Sequence, residues 1–316
     1  MSFIAYFGVV PIITIAIVYK FFKLPKQDLS LIQSMVFRDN KPIIIGHRGG
    51  GFEGPENTLI AIENSYKNGA TAVEVDLDFT KDGVPIIFHD DSIDRVTNAT
   101  GKVNQMLYED MKNVNAAAKF NYTLTKDGKS NIEFEKIPTL TEVVELCMKY
   151  NLLIDLDVKG NPHKTAFALK ELLQTVPNAP NFVLVTSFFP GVIYQIRKQC
   201  PQYQTGLIWR YHFMAREISG RPRFSWYITP FLDICDKLAE VLIHTYLPDF
   251  LGVSVVAMQK DHLSKRYINK WRENGIEVVA WTVNNPLEKQ YLLENLGVPI
   301  ITDSLLNSEN CQEQNV

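Results

Sequence analysis

The sequence predicts an α/β fold: a distorted (β/α)8 TIM barrel with an insertion after strand 3, a hydrophobic insertion after strand 6 and an N-terminal membrane anchor helix. Three observations predict it. From residue 42 onward, short apolar runs alternate with stretches of helical periodicity. Those runs are almost continuously hydrophobic, as parallel strands covered on both faces are. The 316 residues are enough for one barrel of about 250 residues with additions. A doubly wound open sheet is the second arrangement that this pattern allows.

The elements follow in order. Residues 3–19 form 17 positions without charge, with Phe21, Phe22 and Leu24 beyond Lys20. As a helix this stretch spans about 25 Å, against a bilayer core of about 30 Å, and Lys20 can snorkel to the headgroups. No small-residue cleavage site follows, so residues 1–24 read as an uncleaved transmembrane anchor. Residues 25–41 read as a linker, 42–305 as the barrel and 306–316 as a tail. Strands are predicted at 43–46, 72–79, 84–88, 152–158, 182–186, 205–209, 251–256, 277–283 and 300–302. Helices are predicted at 58–67, 140–149, 165–173, 192–198, 263–273 and 287–294. Nine strands are one too many for the barrel. Asp82-Gly83 is a hairpin signal, so the second and third runs are expected to pair antiparallel. Residues 91–136 form a polar insertion and 210–250 a hydrophobic one. Within the latter, 226–251 has helical spacing, with Ile228, Phe231, Leu232, Cys235, Leu238, Val241 and Leu242 on one face. Asp233, Asp236, Lys237, Glu240 and His244 occupy the other, too many charges for a membrane span. Such a helix either packs on the barrel or lies in a membrane interface, and the interface is the expectation.

Composition excludes several classes. Hydrophobic residues at 46% and charged residues at 21% are values of a folded globular chain. A net charge of −3, with no basic run interleaved with aromatics, argues against a nucleic-acid partner. Cys147, Cys200, Cys235 and Cys311 show neither metal-ligand spacing nor a disulfide framework. Nothing in the sequence names a protein partner.

The chemistry gathers at strand ends. In IIIGHRGGG an apolar strand delivers His47 and Arg48 to its carboxyl end, before three glycines. Glycines let backbone N–H groups approach an anion, and Arg48 offers a fork-shaped donor to phosphate oxygens. Glu56 and Asn57 open the next helix, where Asn57 serves equally as an N-cap or as a pocket residue. Glu74 and Asp76 share one face of an apolar strand. Buried there without a cation they would be costly, which points to a divalent metal. Asp78 is in phase with them and ranks below the pair. His89 closes the third strand. Asp155, Asp157 and Lys159 share a face of the fourth, with Asp155 a layer deeper as a partner for the lysine. Three carboxylates, one divalent cation, Arg48, Lys159 and a phosphodiester sum to zero charge. Two histidines could supply an acid and a base. This is phosphodiester-cleaving chemistry.

HRGGGFEGPENT, EVD, DGVPIIFHDDSIDRVT, LDVK, WTVN and ITD, in this order, resemble the glycerophosphodiester phosphodiesterase family. The anchor and the long insertion after the sixth strand are similar to its animal membrane-bound glycerophosphoinositol-type branch. The resemblance implies a TIM barrel that hydrolyses glycerophosphodiesters to glycerol 3-phosphate and an alcohol, through a cyclic phosphate made by the glycerol 2-hydroxyl. It implies His47 and His89 as acid and base, and Glu74 and Asp76 as ligands of a divalent metal, Mg²⁺ first and Ca²⁺ second. Asp157 stands where the family commonly has glutamate, the third metal ligand. Arg48 is implied to bind the substrate phosphate, and Lys159 joins it. Trp281 is placed near the pocket by the family and equally well in the core by its apolar strand; Asp303 reads as a site residue or a cap. Other substrates in view are lysophospholipids and N-acylethanolamine diesters, cleaved as by a lysophospholipase D. A catalytically weak membrane-anchored scaffold is the non-enzymatic alternative.

For location, Lys20, Lys23 and Lys26 after the anchor favour a cytoplasmic barrel. Two glycosylation sequons, at Asn98 and Asn121, fall in the polar 91–136 insertion and favour the opposite side. Relatives implied by the resemblance are glycoproteins. The expectation is a plasma-membrane or endomembrane protein, in contact with membrane lipid, with a lumenal or extracellular barrel.

Overall fold

A computed structural model describes residues 19–120 and 132–306. The predicted anchor lies almost wholly outside them, as do the Asn121 sequon and the tail after residue 306. No helix among the described residues is long and apolar enough to cross a membrane.

Among the described residues, eight parallel strands close a ring. They are β1 (Ile44–Gly46), β2 (Ala72–Phe79), β4 (Leu153–Val158), β5 (Val183–Ser187), β6 (Gln204–Trp209), β7 (Val255–Gln259), β8 (Glu277–Trp281) and β9 (Ile300–Thr302). Closure is made by β1, which pairs with β9 on one side and β2 on the other. A ninth strand, β3 (Pro85–Ile87), pairs antiparallel with β2 outside the ring, Leu77 opposite Ile87. The tight connection is the expected hairpin, with Gly83 at φ +86°. The hairpin thus accounts for the surplus strand.

Between strands run α2 (Leu59–Lys67), α3 (Leu140–Lys149), α4 (Pro162–Thr175), α5 (Pro190–Gln199), α6 (Thr229–Thr245), α7 (Leu247–Leu251), α8 (Lys265–Glu273) and α9 (Pro286–Gln290). Several helix starts have a local cause. Thr139 and Glu142 form a reciprocal capping box at α3, and Ser264 caps α8. Proline opens α4, α5 and α9, where its missing N–H costs nothing.

The strand predicted at 251–256 begins four residues later. Residues 247–251 instead form α7, and Gly252, at φ +65°, ends it in the left-handed conformation. A Cβ there would sit 2.2 Å from the Pro25 carbonyl oxygen, so glycine lets the N-terminal segment pass. The predicted helices at 165–173 and 192–198 are longer, because prolines 162 and 190 start them earlier.

Inward-pointing residues alternate along each strand, as a period of two demands. Toward the amino ends of the strands the interior is apolar. Ile43, Ile45, Ala72, Leu184, Val255, Val279 and Ile301 pack there against Ile32, Met35 and Val36 of α1 (Leu29–Val36), which plugs the barrel. Two positions further along the same strands, the character changes.

Candidate active site

Continuing the alternation by two residues from Ile45, Ile301, Val279 and Ala72 gives His47, Asp303, Trp281 and Glu74. These side chains share the carboxyl end of the barrel. Strand pairing sets Asp76 opposite Asp157 and Glu74 opposite Asp155. Oxygens of Glu74, Asp76 and Asp157 lie within 4.8 Å of one another, and all three residues are buried.

Such a cluster is repulsive on its own. Burial and the Asp76 and Asp157 charges push Glu74 well above the usual carboxylate range. Burial and Asp76 push Asp157 up to about 8. Asp76 goes the other way: burial opposes its charge, but Lys159, His89 and Arg48 hold it below the usual range. Its partners are close, with Lys159 Nζ at 2.9 Å and the Asn57 amide donating at 2.8 Å. Oδ1 of Asp157 is buried with no hydrogen-bond partner. Three converging carboxylates with an orphaned oxygen fit a hard divalent cation.

Arg48 sits between this cluster and the rim. It follows β1 in a left-handed conformation, φ +51°, which aims its backbone N–H at Glu74 (2.8 Å). Its guanidinium pairs with Glu56 at 3.0 Å and approaches Asp76 at 4.0 Å. Gly50, at φ +94°, lets the turn close on α2: a Cβ there would meet the Ser65 hydroxyl at 1.9 Å. The glycines therefore serve tight packing of the turn.

Two histidines flank the carboxylates, each held by an aspartate. His47 Nδ1 is 2.5 Å from Asp303 and its Nε2 is 3.8 Å from Glu74. Asp303 also accepts from the Asn284 amide at 2.6 Å. Burial would raise Asp303, but His47 and Asn284 hold it down at about 2. His89 Nδ1 is 2.5 Å from Asp90, and its Nε2 is 4.0 Å from Asp76. Burial lowers the His89 pKa against the pull of Asp90. Arg95 grips Asp90 at 2.6 Å and Glu56 through both its terminal nitrogens. Each ring thus has one nitrogen fixed by a carboxylate and the other turned toward the cluster.

The structure brings together His47, Arg48, Glu56, Asn57, Glu74, Asp76, His89, Asp157 and Lys159. Asn57 is not the N-cap of α2. Thr58 takes that role, its hydroxyl accepting from Ala61 N, which frees Asn57 to bond Asp76 through both side-chain ends. Asp155 is not the lysine's partner: it lies deeper and accepts from Thr186 Oγ1 at 2.5 Å, while Lys159 holds Asp76 and the His89 carbonyl. Asp78 turns back on its own strand, accepting from Phe79 N. Trp281 lies at the mouth, edge-on to Phe188, which stacks on Phe213 at 4.5 Å. Asn98 is exposed in a turn and accepts from Asn115 N. Three roles escaped the sequence reading. Nothing local marks Asp90, Asn284 or Glu53 as supports, since their partners come from elsewhere in the chain or from a pairing that only geometry shows. Glu53, buried, accepts from Leu305 N at 2.7 Å.

The family model that describes the glycerophosphoryl diester phosphodiesterase family matches residues 47–306. Human glycerophosphodiester phosphodiesterase 1 is 41% identical over 269 residues, covering 85% of this chain and 79% of the relative. A bacterial glycerophosphodiester phosphodiesterase from Caldanaerobacter subterraneus is 31% identical, covering 83% and 94%. Among solved structures, an Oleispira antarctica phosphodiesterase in complex with the product sn-glycerol-3-phosphate superposes with a TM-score of 0.62 at 23% identity, covering 83% of this chain and 93% of that one. A Silicibacter pomeroyi structure gives 0.67 at 19%, covering 89% and 96%. Likeness at that identity concerns the fold.

Proposed function

The chain belongs to the glycerophosphoryl diester phosphodiesterase family, and on that premise we propose that it hydrolyses glycerophosphodiesters to glycerol 3-phosphate and an alcohol. The observation that carries this is the buried Glu74–Asp76–Asp157 cluster, with an orphaned Asp157 oxygen, between two aspartate-held histidines.

Glu74, Asp76 and Asp157 would hold the metal, Mg²⁺ before Ca²⁺, and Asp157 would reach it with one methylene less than glutamate. A divalent cation there supplies positive charge for the oxygens of the phosphodiester. Arg48 and Lys159, each already beside Asp76, add two positive charges and orient the phosphate. One of His47 and His89 accepts, through its inward nitrogen, the proton of the attacking hydroxyl: first the glycerol 2-hydroxyl, which displaces the alcohol and closes a cyclic phosphate, then the water that opens that ring to glycerol 3-phosphate. The other returns a proton to the leaving alkoxide. Asp303 and Asp90 fix the ring orientations. Phe188, Phe213 and Trp281 give the mouth an apolar wall, and this favours a lipid-tailed diester, such as a lysophospholipid, as the second reading.

Residues 1–24 anchor the chain in a membrane, with the barrel lumenal or extracellular and glycosylated; the exposed position of Asn98 supports that side. Glycosidase treatment tests it: an unshifted band, together with protease accessibility from the cytosolic side, would return the barrel to the cytosol. The activity is tested with the purified full chain on glycerophosphoinositol, glycerophosphocholine and a lysophospholipid. Glycerol 3-phosphate released with Mg²⁺ and abolished by EDTA supports the first reading. Lysophosphatidic acid as the dominant product replaces it with the second, and no phosphodiester cleavage at all overturns both.

A further inference from the structure

The helix α6 is inside out. Its acidic side faces the protein: Asp236, buried, accepts from Met214 N and Ala215 N at 2.9 Å each, and Asp233 pairs with Arg216 at 2.9 Å. His244 bonds Tyr267 and lies edge-on to Trp209. The apolar side faces away. Phe231, Ile234, Leu238, Val241 and Leu242 are each at least half exposed, and Trp226, just before the helix, is 85% exposed. Spacings of three and four residues line them up as one stripe. Soluble surfaces seldom leave so many large apolar side chains together.

We propose that this outward face of α6 lies in the surface of a lipid bilayer. The occupant follows from where the rest of the chain enters. Tyr19, the last of the uncharged residues 3–19, bonds Asp249 of α7, and Lys23 joins the same carboxylate at 2.6 Å. The Tyr19 ring also meets the Phe250 ring at 5.9 Å. Tyr19, the first described residue, therefore lies beside the end of α6, since α7 follows α6 after one residue. Residues 3–18 cannot be the cover on their own. They hold no charged residue, so covering α6 with them would leave their own apolar side chains to water. Lipid covers both.

The two ends of α6 then have different neighbours. Its carboxyl end adjoins the anchor. Its amino end follows the connection that leaves β6 at the carboxyl side of the barrel, where the site opens. The barrel would lie on its side, with the mouth within reach of a diester whose tail stays in the membrane. This rests on the anchoring reading for its direction of approach.

Trp226 is the probe. The full chain is reconstituted into phosphatidylcholine vesicles with or without acyl-brominated lipid, and flotation and tryptophan emission are both read. Brominated lipid is expected to quench a component that the Trp226→Phe variant lacks. Leu238→Glu with Leu242→Glu is expected to remove most of that quenching while the protein still floats. A second reporter, Phe231→Trp in the Trp226→Phe background, is expected to be quenched as well. A chain that floats but whose Trp226 yields only to aqueous acrylamide overturns the proposal and leaves the anchor standing. Protection from both quenchers overturns it in favour of a protein cover, a second copy or residues 1–18. Failure to float rejects the anchor and the lipid face together.

Discussion

The two ends of this barrel are built from the same strands and obey opposite rules. At the amino end, α1 seats Ile32, Met35 and Val36 on a layer of aliphatic side chains. At the carboxyl end, two to four residues along, the interior becomes Glu74, Asp76, Asp157, His47 and Asp303. Apolar contact at the first end is favourable without any ligand. Carboxylates converging at the second end repel until a cation arrives. One end therefore carries stability and the other carries chemistry, and a few residues of strand separate them.

If that division is right, substitutions at the two ends should affect different measurements. The largest effect is expected for His47→Ala and His89→Ala, each lowering kcat by roughly 10²- to 10⁴-fold. Their melting temperatures should stay near that of the parent, and near-full turnover in either would remove it from the mechanism. Ile32→Ala should do the reverse. Ile32 is fully buried under the barrel, so its truncation costs about 2–5 kcal/mol of stability, read by denaturant melts. The kcat of the fraction that remains folded should be unchanged. A catalytic loss beyond the unfolded fraction would show that the two ends are coupled.

Metal removal comes next. Addition of Mg²⁺ to the stripped protein should stabilise it by about 2.7 kcal/mol at a hundredfold excess over Kd. Glu74→Gln should lose that gain while raising the stability of the metal-free chain, because the cost of burying an ionisable carboxyl group beside Asp76 and Asp157 is gone. An undiminished Mg²⁺ gain in Glu74→Gln would exclude Glu74 as a ligand.

The smallest expected effect concerns acid. Asp303 is held near 2, below its unfolded value of about 3.9. Its contribution to stability is complete above the unfolded value and is lost as pH falls toward 2. The stability gap between the parent and Asp303→Asn should therefore narrow as pH is lowered from 6 to 3. A gap that stays constant would show that the aspartate acts by shape and hydrogen bonding alone.

The apolar strands, the surplus hairpin and the paired carboxylates were legible from the sequence, because each is a local pattern. A period of two places Glu74 and Asp76 together wherever the strand goes, and Asp82-Gly83 turns the chain whatever surrounds it. His47 and His89 were legible because each closes an apolar run. What the tertiary structure alone decided is which distant residue meets which. The His47–Asp303 contact joins positions 256 apart, and Asn57 leaves the cap to Thr58 because Asp76 lies 19 residues on, within reach. The direction of α6 belongs to the same class. Its periodicity defines two faces, but the backbone donors of Met214 and Ala215, with Arg216 and Tyr267, fix that the acidic face turns inward and the apolar face outward. Periodicity along a chain fixes a residue's face, whereas partners are chosen by contacts that closure of the barrel creates.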